Sequence, residues 1–344
     1  MTSLRNLDHL KAWQFRYWAL LTGMTPSGRK AELQHALTRG LEAASLKKIN
    51  TSSTTGRRVV SVDMGIRNLA YCVVDVQPRS RTSHTPRPVK VTHWLRRDLL
   101  NPAASIVAPF TDNEARHEDE EAAQKKGKPP ADSEAFTPPQ LSKTAYNVVT
   151  GLLSHKPDEI LIERQRFRSG SASAILEWTI RVNMLESMLW ASLETLRASS
   201  SSDTFFPEVL AIPPRRVAEF WLSDQTLPLS PPVDIFDQGQ KLADVTAPSS
   251  KARKARAKIE KKDKVALVKK WATEPVSGSG VNLVFEGQAA GIAEAFKLET
   301  SRGAKQIAGG KLDDLADCLL QAVAHLRWEE NKIAIGEILR KTGT

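Results

Sequence analysis

Three apolar runs, "RVVSVDMG" (58–65), "NLAYCVVDV" (68–76) and "VKVTHWL" (89–95), follow one another along the chain, the first two joined by a short turn. Their β-branched and aromatic residues mark them as strands, and strands so closely spaced are expected to pair with one another in a single sheet. Farther along, strand-like "DEILIERQ" (158–165) and "EVLAIPP" (208–214) alternate with helical patterns at about 140–154, 172–197 and 215–222. A last long helix is expected from Leu312 to about residue 341. A meander followed by strand and helix alternation predicts an α/β fold in which helices cover a mixed sheet.

Ahead of the first strand, residues 1–48 read as a small helical unit, with Leu10, Trp13, Tyr17, Leu20 and Leu21 at helical spacing. A Ser/Thr/Gly-rich linker occupies 49–57, and the α/β domain is expected to span 58–344. Two insertions interrupt that domain. Residues 111–139 are acidic and then Pro-rich, a composition that cannot bury a core and is expected to be disordered. Residues 223–270 are Pro-rich and then strongly basic, the latter part reading as a helix.

The charge balance, Lys+Arg 49 against Asp+Glu 39, points to a polyanionic partner such as nucleic acid. No apolar run reaches the ~18 residues of a membrane span, so no membrane association is expected. Cys72 and Cys318 are the only cysteines and sit in apolar surroundings, which argues against a disulfide framework or a thiolate zinc site. The first sixteen residues are basic with a single acid, a pattern compatible with mitochondrial import.

Carboxylates stand where apolar patterning would bury them. Asp63 lies within the first strand run and Glu163 ends the apolar "EILI" run. Each has two readings: a metal ligand, or half of an ion pair, with Arg67 for Asp63 and with Arg164, Arg166 or Arg168 for Glu163. In the last helix, Leu312, Leu315, Leu319, Ala322, Val323 and Leu326 form one stripe. Asp317 lies opposite that stripe and Asp313 and Asp314 flank it, beside the apolar Leu320 and Ala324. A positive helix N-terminus accounts for acids in the first turn but explains Asp317 poorly. Oxygen donors without His or Cys suit Mg²⁺ or Mn²⁺. Clustered carboxylates can hold two such ions about 4 Å apart for phosphodiester hydrolysis.

"SVDMGIRNLAYCVVD", "ILIERQRFR" and "KLDDLADCLLQA" resemble, in that order, the three acidic motifs of RNase H-like resolvases. The likeness is strongest to the fungal mitochondrial Holliday junction resolvases related to bacterial RuvC, over about 58–76, 158–197, 206–222 and 305–330. It implies an RNase H-like mixed five-stranded sheet flanked by helices. It also implies a mitochondrial homodimeric endonuclease that cuts four-way DNA junctions by paired, Mg²⁺-dependent incisions, with Mn²⁺ able to substitute. Carried over by position, Asp63, Glu163 and Asp317 become metal ligands, with either Asp314 (i, i+3) or Asp313 (i, i+4) completing the set. Residues 10–41 resemble a SAP-type helical module, with Arg29 and Lys30 opening its second helix.

Other segments support DNA binding. Phe167, between Arg166 and Arg168, is a candidate wedge for stacking on unpaired bases. Segment 251–270 holds ten Lys/Arg against two acids, and Lys254, Lys258, Lys261 and Lys262 are candidate phosphate contacts beside Arg67 and Arg164. Helix 172–197 is apolar on nearly every side, which suits core and dimer interface together. Competing readings are a non-catalytic nucleic-acid-binding protein on this fold, another nuclease of the RNase H superfamily, and an actin-like or sugar-kinase ATPase. The ATPase reading rests on the likeness of "DMGIRN" to a phosphate loop.

Overall fold

A computed structural model describes residues 7, 10–50, 56–77, 88–101, 135–165, 176–201, 205–222, 261–274, 276–277, 281–298 and 312–341. The two predicted insertions lie largely outside these residues, as do Arg166, Phe167, Arg168, Lys254 and Lys258.

Strands β1 (Arg57–Asp63), β2 (Leu69–Val76) and β3 (Pro88–Arg97) form the expected antiparallel meander. β4 (Glu159–Glu163) pairs parallel with β1, and β5 (Glu208–Ile212) pairs parallel with β4. The five expected strands thus stand in the order 5-4-1-2-3, and two more extend the sheet beyond β3. These are β6 (Val276–Ser277) and β7 (Val281–Phe285), with β7 parallel to β3, so among the described residues the sheet has seven strands rather than five.

Two-residue periodicity divides the strand side chains between two helical layers. Val60, Val62, Tyr71, Val73, Ile160 and Ile162 pack with α3 (Pro138–Ser154) and α4 (Glu177–Ser199). Val59, Ala70, Cys72, Val74 and Leu161 face the other way. There they meet α5 (Pro214–Leu222), α6 (Lys261–Thr273), α7 (Gln288–Lys297) and α8 (Leu312–Lys341). By the same alternation Arg57, Ser61, Asp63, Glu159 and Glu163 share the α8 side. Every polar side chain on that face therefore has to be matched from α8 or its neighbours.

The N-terminal hairpin, α1 (Ala12–Leu21) and α2 (Lys30–Asn50), packs on the far half of α8. Phe15, Trp18, Leu21, Leu33, Leu37 and Leu41 join the same apolar cluster as α8. Asn331 donates from Nδ2 to the Leu21 carbonyl at 2.8 Å. Gly23 closes α1 with φ +71°, and a Cβ there would overlap the Trp328 ring. The hairpin and the α/β domain thus share one core, while Arg29 and Lys30 stay exposed at the start of α2. Among the described residues no helix is long and apolar enough to cross a membrane.

Candidate metal centre

Parallel pairing of β1 and β4 places Val62 beside Ile162, so the next step of the register brings Asp63 beside Glu163 at the carboxyl ends of both strands. Strands so paired are about 4.8 Å apart, within reach of two short acidic side chains. The Asp63 carboxyl hydrogen-bonds Glu163 and is itself almost fully buried.

α8 is fixed across these strand ends by three buried polar contacts. The Ser61 hydroxyl donates to the Cys318 carbonyl at 2.8 Å, and the Trp94 Nε1–H donates to the Leu315 carbonyl at 2.9 Å. Gln321 Nε2 lies 3.0 Å from Ser61 Oγ, 3.2 Å from the Val62 carbonyl and 3.4 Å from the Leu161 carbonyl. One amide therefore ties α8 to both β1 and β4. Gln321 stands one turn after Asp317, so the same clamp sets where Asp313, Asp314 and Asp317 project.

Those acids are only partly buried in a helix whose neighbouring positions Leu315, Ala316, Cys318, Leu319 and Leu320 are all buried. Burial drives the Asp63 carboxyl well above the usual carboxylate range, helped by the hydrogen bond to Glu163 and then by the charges of Glu163, Asp317 and Asp314. Burial also raises Asp317, against the opposing pull of Lys264. Asp314 has the Arg96 guanidinium 4.0 Å away. Asp313 turns to Lys261. Of the two acids that the sequence leaves open, Asp314 is thus the one whose charge bears on Asp63.

Glu159 provides the contrast. It lies on the same face of β4, four residues before Glu163, and is buried to 2 % exposure. His325 Nε2 meets it at 2.8 Å and Arg57 at 3.5 Å, so its charge is matched within the core. Glu163, in contrast, stands next to Asp63 and within the field of Asp317. The crowding disfavours ionisation of Asp63, and burial that of Asp317, unless a cation joins them.

The remaining expected site residues fall into two groups. Arg67 lies 4.0 Å from Asp98, and Arg164 follows Glu163 directly, donating its backbone N–H to the Ile212 carbonyl. Lys261 and Lys262 open α6 at the edge of the acidic cluster. Three contributors were not anticipated from the sequence: Lys264, bonded to Asp317 at 2.7–2.8 Å; Gln321; and Glu186 of α4, which accepts the Gln165 N–H at 3.3–3.4 Å. Gln321 left a legible trace, an amide inside an otherwise buried run. Cys72 and Cys318 are buried and free.

The all-oxygen donor set from β1, β4 and α8 fits hard divalent cations in its chemistry. As the side chains stand, no three His, Cys, Asp or Glu among the described residues are placed to hold one ion. The reason is visible: Asp63 is bonded to Glu163, and Asp317 and Asp313 are turned to lysines.

A stability effect follows from the raised Asp63. A carboxyl that binds its proton more tightly folded than unfolded contributes full stability below its unfolded value of about 4, and loses it as pH rises toward the folded value. In EDTA the protein is therefore expected to lose stability through this site as pH climbs above about 4. Asp63→Asn, which removes the charge, is expected to be the more stable protein at pH 7 by about 1–2 kcal/mol. Melting both at pH 5 and pH 8 checks this: the advantage of the variant should grow with pH, and an equal or reversed difference contradicts it.

The strand order, the meander that opens the sheet and the helices on both faces make this an RNase H-like α/β protein with acids gathered at adjacent strand ends. The chain belongs to the Ydc2 catalytic family, described as mitochondrial resolvase Ydc2 / RNA splicing MRS1, whose model matches residues 59–335. Two relatives are named cruciform cutting endonuclease 1, mitochondrial. The one from Schizosaccharomyces pombe is 29 % identical over 205 residues, 59 % of this chain and 63 % of that protein. The one from Saccharomyces cerevisiae is 25 % identical over 230 residues, 60 % of this chain and 58 % of that protein. The matched stretch therefore spans about three fifths of each relative. The crystal structure of the yeast mitochondrial Holliday junction resolvase Ydc2 shares the fold with TM-score 0.53 at 23 % identity, covering 96 % of this chain and 99 % of that one.

Proposed function

We propose that this protein is a structure-selective endonuclease that resolves four-way DNA junctions by paired, metal-dependent phosphodiester hydrolysis in mitochondria. The observation that carries the reading is the meeting of acids from three elements at the ends of β1 and β4, where the charges of Glu163, Asp317 and Asp314 all bear on the buried carboxyl of Asp63. A protein that only binds nucleic acid gains nothing from crowding buried carboxylates, whose desolvation has to be offset elsewhere. The names of the relatives and the family match point the same way.

In this reading Asp63, Glu163, Asp314 and Asp317 hold Mg²⁺, with Mn²⁺ as a substitute, and Asp313 remains with Lys261. Bound metal supplies an activated water and charge stabilisation of the leaving oxygen. The chain's own part is to fix the donors: β1 and β4 set two of them, and Gln321, Ser61 and Trp94 hold α8 so that the others arrive at the same point. Arg29, Lys30, Arg67, Arg164, Lys261 and Lys262 offer phosphate contacts, and so do Arg166, Arg168, Lys254 and Lys258, with Phe167 as a wedge at the crossover.

Two symmetric cuts require two sites related by a two-fold axis, which favours a homodimer. The start of α4 exposes Trp178 and Ile180, beside exposed Leu176, and is the surface we assign to that contact.

The family description also names an RNA splicing protein, so a binding role without cleavage is the second reading. A four-way junction, a matched duplex, an RNA–DNA hybrid and a structured RNA, each incubated with Mg²⁺ or EDTA, separate the possibilities. Mg²⁺-dependent cutting of the junction alone supports the proposal. Cutting of the hybrid moves the protein to another nuclease class, and binding without cutting supports the second reading.

A further inference from the structure

The metal-centre reading leaves α6 unexplained. Its first turn reaches across to α8 with two lysines spaced i, i+3: Lys261 to Asp313 and Lys264 to Asp317. Lys264 Nζ meets both carboxylate oxygens of Asp317, Oδ1 at 2.7 Å and Oδ2 at 2.8 Å. The Lys264 side chain is 23 % exposed and lies in the hollow that Glu163, Asp317, Trp221 and Gln321 also line. A divalent ion that binds Asp317 has to compete with the ammonium group that touches both of its oxygens, because two cations on one carboxylate repel.

The rest of α6 is anchored independently. Val268 and Trp271 are buried to 0 % and 2 % exposure, and Trp271 packs edge-on against Trp221 with ring centroids 4.8 Å apart. The first turn can therefore release Lys264 without unseating the helix body.

We infer that Lys264 is the resident cation of this centre, holding Asp317 until a divalent ion displaces it, so that metal binding frees the Lys264 side chain. The inference rests on the metal-centre reading and adds a coupling to it: Lys264 is held by Asp317 when the metal is absent and released when it is present. Once released, Lys264 lies beside the site where a phosphate would be presented, so that one side chain serves first as counter-ion and then as positioning residue for the substrate.

Mn²⁺ titrations of the full chain by calorimetry test this. Lys264→Met keeps the apolar stem and removes the competing charge, and is expected to bind Mn²⁺ about tenfold more tightly than the unaltered protein. Lys264→Arg keeps the charge and should gain no affinity. Equal or weaker binding by a folded Lys264→Met protein overturns the inference. A second measurement needs no variant: acylation of Lys264, followed by mass spectrometry, should rise when Mn²⁺ is added, and unchanged protection also overturns it. If the unaltered protein and both variants fail to bind Mn²⁺ at all, the metal-centre reading itself falls, which is a different outcome from binding that is insensitive to Lys264.

Discussion

Asp317→Asn is expected to lower junction cleavage by about 10³-fold or more, equivalent to about 4 kcal/mol of transition-state stabilisation, while the protein stays folded and still binds junctions. The size of the effect follows from the position of Asp317. It projects from the second turn of α8 into the hollow that Glu163 lines, and it is one of the charges that raise Asp63. Asparagine keeps its shape but cannot neutralise a divalent ion. The fold is spared because α8 is held through Ser61, Gln321 and Trp94, none of which contacts the Asp317 carboxylate. Gel-shift binding in EDTA should be unchanged or stronger, since an acid is removed from a phosphate-facing surface. Cleavage within tenfold of the unaltered protein would remove Asp317 from the metal set.

Trp94→Ala should have the largest effect on stability, about 3–5 kcal/mol, with a melting temperature lower by about 10 °C. Trp94 is fully buried and stacks on Phe296 at 4.9 Å and on Phe285 at 5.6 Å between ring centroids. Its backbone N–H and carbonyl are both bonded to the Gln288 side chain at 2.7 Å. Its indole N–H reaches the Leu315 carbonyl, one residue after Asp314. Truncation thus opens a cavity under α7 and loosens the turn that carries two acids. Cleavage should fall along with stability. Trp94→Phe keeps part of the stacking while losing the donor and the outer part of the indole, so it should cost less than Ala, about 1–2 kcal/mol. Urea denaturation distinguishes them, and similar losses for Ala and Phe would show that the hydrogen bond rather than the packing dominates.

Both effects trace to residues whose weight differs sharply in the sequence. The strands of the meander were legible because alternation and β-branched residues survive in "RVVSVD" and "LAYCVVDV". β7 was not, since "VNLVF" is five residues long and pairs parallel with β3, a partner far away in the chain. The helical hairpin at the N-terminus was readable as helices, yet a pattern says which face is buried and not against what. In the structure Trp18 and Leu21 of that hairpin lie in the core that α8 also forms.

Within the site, the strand-end acids were visible as charges in apolar runs. What separates Glu163 from Glu159 was not, because both sit on one face of β4. The difference lies in His325 and Arg57, which approach only when α8 and β1 are in place. Asp313 and Asp314 could not be ranked from helical phase, as they flank the same stripe. In the structure Asp313 meets Lys261, while the charge of Asp314 bears on Asp63. Lys264 was hidden among ten basic residues, which look alike in sequence until the fold turns this one toward Asp317.

The central claim is that the acids at the ends of β1, β4 and α8 make one metal-dependent, junction-cutting site. Its most direct test is a single-turnover reaction on an immobile four-way junction with opposite strands labelled separately, run with Mg²⁺ and with EDTA. Equal nicks at symmetry-related positions on two opposing strands, present only with Mg²⁺, are the predicted result. Binding of the junction with no nick on any strand in Mg²⁺, or nicks of equal rate in EDTA, would contradict it.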